Sequence, residues 1–492
     1  MIDAHLPILQ IVIPLIAAPI CILLRNKTLV WAFAMLVCLA SVGTAGALLA
    51  QVLQEGMISY ALGGWLAPWG IEYRVDTVNA FVLLLVSTIA AVVLFYAPPS
   101  VAKEVPGEQH YLFYAAYLLC MTGLMGIAIT GDAFNVFVFL EISSLSAYAL
   151  IALGQDRRAL IASYQYLIMG TIGATFIVIG IGLMYMMTGT LNMHDLSQRL
   201  PDMFETRTAV VAFAFLTVGM LIKLAMFPMH MWLPNAYAYA PSVVTAFIAA
   251  TATKVSIYVF LRFTFTVWGA EFVFEKLNLD VFLIPLALLG IYVASLAAIY
   301  QTNVKRLLAY SSVAQIGYMM LGIGFVSVSG LTSGIVHLFN HALMKSALFL
   351  AVGCVVLRIG SAELADWKGL GRRMPVTMAA FVLSGFSLIG VPLTVGFISK
   401  WYLILAALEK GWWPVAMLAL ISSLLAVVYV WRVVETAYFQ KPESDEPVKE
   451  APLMMQISMW ALTAATFYFG VSTDLTAGVA QHAAKWLLGG GP

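Results

Sequence analysis

Residues 216–234 read LTVGMLIKLAMFPMHMWLP, an apolar run that carries one lysine, Lys223, and then Pro228 five residues later. Residues 391–403, VPLTVGFISKWYL, repeat the combination with Pro392 and Gly396 shortly before Lys400. Proline removes a backbone hydrogen bond and kinks or breaks a helix. Carbonyls freed in this way inside a bilayer must face protein or a water-filled space. Two broken apolar helices, each with one lysine, therefore predict a polytopic all-α membrane protein with an internal polar path.

Composition agrees. Of 492 residues, 62% are hydrophobic and only 10% charged, against about 25% charged in a soluble globular protein. Mean hydropathy is +0.95. The net charge of +1 and the lack of any basic tract beyond Arg372-Arg373 argue against a nucleic-acid partner. Cys21, Cys38, Cys120 and Cys354 are scattered with no C-x-x-C spacing. They read as small core residues rather than as a disulfide or metal framework.

A spanning helix needs roughly 20 mostly apolar residues. Such segments occur near 6–24, 29–53, 76–97, 111–130, 133–153, 160–188, 208–229, 241–266, 281–301, 308–328, 331–357, 377–405, 413–438 and 453–472, predicting 14 spans. The first is a span rather than a signal peptide, because Met1–Leu6 carries no Lys or Arg and no small-residue cleavage site follows. Connections after odd-numbered spans hold 14 Lys and Arg and the other side 7. By the positive-inside bias, both termini lie outside a bacterial inner membrane. The stretch 54–75, rich in Gly, Trp and Tyr, is expected to fold as a short interfacial hairpin.

The two broken segments lie five spans apart. Because five is odd, equivalent helices would run in opposite directions, the mark of an inverted repeat. The expected divisions are spans one to three (1–110), a first five-helix repeat (111–266), a second, inverted one (281–438), and the last span with its tail (453–492).

Connections account for 21 of the 25 bases, leaving Lys223, Lys254, Lys345 and Lys400 inside spans. Glu141 is the clearest intramembrane acid, and His337 and His341 share the eleventh span with Lys345. A charge at the bilayer centre costs at least ~2.5–3.5 kcal/mol on insertion scales. Four such lysines without a function would carry a penalty comparable to a whole domain's stability. Snorkelling to the headgroups is the bland alternative; it suits Lys400, near the end of its run, better than the other three. Burial disfavours an ammonium and a nearby carboxylate favours it. Moving Glu141 relative to a lysine would thus switch the lysine's protonation.

His337, His341 and Lys345 fall at i, i+4 and i+8 and line one helix face over roughly 12 Å. A metal site competes with a proton relay as the reading of this stripe. The zinc-protease pattern needs Glu after the first His, where Leu338 stands. No metal and no cofactor are expected, and an imidazole relay ending at a lysine fits the stripe better. Two histidines hydrogen-bonded between helices remain the structural alternative.

Several of these runs carry a resemblance to a known family. GDAFNVFVFLEISSLSAYAL (131–150), LIKLAMFPMHMWLPNAYAYAPSVVTAF (221–247), KRLLAYSSVAQIGYM (305–319), HLFNHALMKSALFL (337–350) and VPLTVGFISKWYL (391–403) resemble helices five, seven, ten, eleven and twelve of one group. That group is the proton-translocating, antiporter-like subunits shared by complex I and multisubunit Mrp cation/proton antiporters. The FNVFVFLE and TGTLNMHDL runs look most like the D subunit of the Mrp type. The resemblance implies that Glu141 pairs with Lys223. It further implies a water-linked relay through Lys254, His337, His341, Lys345 and Lys400, between helix breaks at Pro228 and Pro392. It implies partner subunits within the lipid bilayer and transport of H⁺ with Na⁺ or K⁺.

Three functions are therefore expected in order of preference. The first is a proton-conducting subunit of a monovalent cation/proton antiporter. The second is a proton-pumping membrane-arm subunit of a redox complex or membrane-bound hydrogenase, and the third an autonomous secondary transporter. No nucleotide loop, Cys-rich cluster or soluble domain supports an enzyme active site.

Overall fold

In a bilayer each backbone polar group must be satisfied within its own segment, and the chain answers with helices almost throughout. The computed structural model describes residues 3–442 and 448–489. It opens with α1 (Leu6–Leu23) and α2 (Lys27–Glu55), then a hairpin of β1 (Ile58–Ala61) and β2 (Glu72–Val75). The strands pair antiparallel, with Ile58 opposite Val75 and Ala61 opposite Glu72. This is the hairpin expected over 54–75.

The long α3 (Thr77–Glu104) follows, capped by Asp76 in a reciprocal capping box with Asn79. Next come α4 (His110–Ile129), α5 (Ala133–Ala152), α6 (Arg157–Thr188) and a short α7 (Met193–Arg199). The expected seventh span is split into α8 (Arg207–Lys223) and α9 (Trp232–Tyr239), with α10 (Ser242–Leu261) behind them. α11 (Leu279–Ile299), α12 (Val304–Gly324) and α13 (Val328–Ile359) come next. After the short α14 (Leu370–Arg373), the expected twelfth span is likewise split into α15 (Pro375–Ile389) and α16 (Val395–Glu409). α17 (Trp413–Phe439), α18 (Leu453–Val471) and a terminal α19 (Val479–Leu487) complete the chain.

Among the described residues, 11 helices are long and apolar enough to cross a membrane. The other three expected spans are the two broken segments, whose pieces are too short, and α18. α3, α4, α10, α12 and α13 form the buried centre, whereas α1, α2, α6 and α17 turn large apolar side chains outward. Exposed Leu, Ile, Val and Trp on those outer helices suit a lipid surface.

One construction occurs twice. Ala133 N donates to Leu191 O and Met193 N to Gly131 O, both at 2.8 Å. Val304 N donates to Ala362 O at 2.8 Å and Leu364 N to Thr302 O at 2.7 Å. Every donor and acceptor recurs after a step of 171 residues. The same step carries α6 onto α13 end to end, including the glycines that close them, Gly189 and Gly360, at φ 72° and 77°. A left-handed closing residue favours glycine at both places.

Among the bases counted in connections between spans, Lys305 and Arg262 are nonetheless buried, at 4% and 5% exposed. Lys305 Nζ stands 3.9 Å from Glu104 Oε2. Arg262 is paired with Asp76. A charge at the end of an apolar run can turn inward when an acid awaits it, and buried charges are found paired.

Candidate functional site: a buried polar axis

The first break is set by Pro228. Proline lacks an N–H and its ring clashes with the carbonyl four residues back, here that of Leu224, so α8 ends at Lys223. Ala225 takes φ 60°, and the Trp232 indole N–H caps the freed Ile222 carbonyl at 3.0 Å. Lys223, 6% exposed, therefore sits at a helix end where its ammonium faces α5. Its Nζ lies 3.6 Å from Glu141 Oε1 and donates to Ser144 Oγ at 2.9 Å. Glu141 and Ser144 are three residues apart and share one face of α5.

Lys254 lies in the middle of α10 and is fully buried. Its Nζ donates to Ala249 O at 2.5 Å and approaches Thr253 Oγ1 at 3.4 Å. Among the described residues it has no carboxylate within ion-pair distance, so only neutral oxygens hold its ammonium.

On α13 the three predicted residues line one buried face. The His337 ring is held at both nitrogens, with Ser399 Oγ 2.7 Å from Nδ1 and Gln315 Oε1 2.8 Å from Nε2. The His341 ring lies parallel to it, with centroids 5.9 Å apart. Neither His341 nitrogen has a hydrogen-bond partner among the described residues, although the side chain is fully buried. Lys345 Nζ donates to Leu308 O at 2.8 Å and to Ser311 Oγ.

The second break repeats the logic of the first. Pro392 would clash with the carbonyl of Leu388, and α15 ends at Ile389. Gly390 and Leu393 take φ 94° and 73°. Lys400, from the second turn of α16, reaches back to the freed carbonyls of Ile389 at 2.7 Å and Leu388 at 3.4 Å. It also donates to Ser423 Oγ at 3.1 Å and stands 5.0 Å above the Tyr318 ring. Snorkelling is thus not its conformation. At 8% exposure it turns inward, to carbonyls that its own broken helix supplies.

The structure brings Glu141 to Lys223 and stacks His337 on His341. Lys254, Lys345 and Lys400 are each separately satisfied by carbonyls and hydroxyls. Sequence reasoning missed the neutral partners: Ser144, Gln315, Ser311, Tyr318, Ser399 and Ser423. One signal was present. Ser311, Gln315 and Tyr318 recur at steps of four and three on α12, a polar stripe within an apolar helix. No group of three His, Cys, Asp or Glu placed to hold a metal occurs among the described residues.

Comparison with known proteins adds an independent line. The family described as NADH:quinone oxidoreductase/Mrp antiporter, TM, matches residues 130–426. The N subunit of the NADH-quinone oxidoreductase of Desulforudis audaxviator is 40% identical, with 99% of each chain covered. The D subunit of the Na⁺/H⁺ antiporter of Bacillus subtilis is 28% identical over 98% of this chain and 97% of its own. Among solved structures, a chain of the archaeal membrane-bound sulfane sulfur reductase superposes with TM-score 0.90 at 32% identity, covering 98% of both chains. A chain of the Mrp complex from Dietzia shares the fold with TM-score 0.91 at 24% identity, covering 99% of this chain and 98% of that one.

Proposed function

The chain belongs to the NADH:quinone oxidoreductase/Mrp antiporter family of transmembrane proteins, and from that premise we propose that it conducts protons as one subunit of a monovalent cation/proton antiporter. It is a multi-pass integral membrane protein. On this reading it assembles with other membrane subunits in a bacterial inner membrane, both termini outside, and exchanges H⁺ for Na⁺ or K⁺.

The observation that carries the reading is the Glu141–Lys223 contact at a helix end. A carboxylate 3.6 Å from a buried ammonium stabilises the charged form when near and releases it when it moves away. Lys223 has Ser144 as a second acceptor, so the ion pair can loosen without stranding the ammonium. Protons would then pass through Lys254, the His341–His337 pair, Lys345 and Lys400. The helix breaks at Pro228 and Pro392 supply carbonyls that can face water. The recurrence after 171 residues supports two inverted halves, 111–266 and 281–438, each carrying half of the path.

A second reading, a proton-pumping membrane-arm subunit of a redox-driven complex, is favoured by the 40% identity to the N subunit of an oxidoreductase. The internal chemistry is the same in both; the driving partner differs. Affinity purification of the tagged chain from its native membrane, followed by mass spectrometry, separates them. Co-purifying antiporter subunits support the antiporter. Hydrogenase or quinone-reductase subunits with flavin or iron–sulfur content would replace it with the second reading.

A further inference from the structure

A cavity of about 290 Å³ opens at one end of the molecule, outside the polar axis described above. Its walls come from the end of α3 and from the connections after α5, α9, α11 and α13 with the helix ends beside them, and its charged lining is Lys103, Glu104, Asp156, Arg158, Lys305 and Glu363. The hydrogen-bonded Arg158 beside Asp156 holds that carboxyl below the usual carboxylate range, and three bases face three acids around the cavity. All of these connections lie on the face that the Lys/Arg bias assigns to the cytoplasm.

The floor of the cavity is the contact between half-buried Glu104 and buried Lys305. Glu104 Oε2 accepts from Ser242 N at 2.8 Å and Ser242 Oγ at 3.0 Å, which ties the end of α3 to the start of α10. Lys305 Nζ is 3.9 Å from that same oxygen and gives its hydrogen bond to Ala240 O at 3.1 Å instead. The ion contact is therefore loose, and the ammonium already has another acceptor.

Behind the floor runs α12. Lys305, Leu308, Ser311, Gln315 and Tyr318 follow at steps of three or four, so they rise along one side of the helix over roughly 20 Å. Each one past Lys305 touches a residue of the polar axis. The Leu308 carbonyl and Ser311 hydroxyl hold Lys345. Gln315 meets His337, and the Tyr318 ring faces Lys400.

A second cavity, of about 260 Å³, lies against the other end of α3 and is built differently. There Asp76 is paired with Arg262, whose Nε donates to Tyr258 Oη at 2.9 Å and whose guanidinium stacks on Trp486 at 5.2 Å. A guanidinium held on three sides is a fixed clamp, whereas an ammonium on a flexible stem can change partner. α3 thus bears a clamp at its start and a releasable contact at its end.

We propose that the cavity at Lys305 is the cytoplasmic water inlet of the second half. The Glu104–Lys305 pair is its gate, and the polar side of α12 is the path to Lys345. This rests on the proton-conducting reading above. Opening requires the Lys305 ammonium, already bonded to Ala240 O, to part from Glu104 toward solvent, which admits water to Leu308 O and Ser311.

The test measures water access directly. Ser311→Cys is placed in the full complex, and its modification by the membrane-impermeant thiol reagent 2-(trimethylammonium)ethyl methanethiosulfonate is followed in everted vesicles, where the cytoplasmic face is outward. The parent with its four buried native cysteines serves as background. Glu104→Gln and, independently, Lys305→Met should each speed the modification about tenfold or more by raising the open fraction. Reagent added to right-side-out vesicles should give no such gain. An unchanged rate in both variants at normal protein level overturns the proposal, as does acceleration only from the opposite face. Loss of both variants from the membrane while Ser242→Ala accumulates normally would make the pair a strut and also overturn it. Labelling reads access rather than transport. Expected labelling together with a transport-competent Glu141→Ala would therefore sink the relay and leave the inlet standing.

Discussion

Lys223 Nζ lies 3.6 Å from Glu141 Oε1 yet gives its hydrogen bond to Ser144 Oγ, 2.9 Å away. That Glu141 oxygen is buried and makes no hydrogen bond of its own among the described residues. The carboxylate acts on the lysine by charge rather than by a fixed bond, as a movable counter-charge requires. Glu141→Ala should therefore abolish ΔpH-driven transport in everted vesicles while the protein stays in the membrane. Glu141→Asp keeps the charge at shorter reach and should retain part of the activity. Normal transport by the Ala variant at equal protein level would reduce Glu141 to a packing role.

Ser144 is the alternative acceptor, so Ser144→Ala should leave the ammonium leaning on Glu141 alone. A hydrogen bond to a charged group contributes about 1.5–3 kcal/mol, which predicts transport slowed by about one to two orders of magnitude and not abolished. A Ser144→Ala rate equal to the parent's would show that the lysine does not use the hydroxyl.

Gly396 sits where α16 crosses the end of α15, and a Cβ there would meet the Ser387 carbonyl oxygen at 1.8 Å. The crossing positions Lys400 one turn further on. Gly396→Ala should destabilise the folded protein by about 1–3 kcal/mol through overpacking and impair transport with it. Gly182, in the exposed face of α6, has nothing within 4 Å of such a Cβ. Gly182→Ala should be neutral or slightly stabilising, since glycine costs a helix about 0.5–1 kcal/mol. Thermal unfolding of the two variants in detergent compares them, and equal midpoints would contradict the crossing as described.

Reconstituted alone, the chain should show little or no Na⁺/H⁺ exchange. Its lysines are held by carbonyls and hydroxyls, and among the described residues no group of three His, Cys, Asp or Glu that could hold a cation accompanies them. Robust exchange by the single purified chain in liposomes would favour an autonomous transporter over a subunit.

The apolar segments, the broken helices and the four intramembrane lysines were legible in the sequence because each is a local anomaly of composition. Lys223 and Lys400 announced themselves through Pro228 and Pro392. Even so, the helices end five and three residues before those prolines, because a proline disrupts the turn that precedes it. Lys305 and Arg262 were not legible. Each lies where an apolar run fades into a connection, and its acid, Glu104 or Asp76, is far away in sequence. The neutral partners of the axis were hidden for another reason. Serines such as Ser144, Ser311 and Ser399 are ordinary in membrane helices, and only the packing of one helix on the next reveals which of them meets a lysine or a histidine.

The central claim is that the buried lysines carry protons and do not merely fill polar niches. Arginine separates the two, because a guanidinium with a pKa above ~12 keeps its charge and cannot release a proton. The direct measurement is antiport in everted vesicles for Lys254→Arg and Lys400→Arg at matched levels of assembled complex. A positioned proton-transfer group is worth roughly 10²–10⁴-fold, so both variants should fall to background. Near-normal antiport in both would contradict the relay and return these lysines to structure.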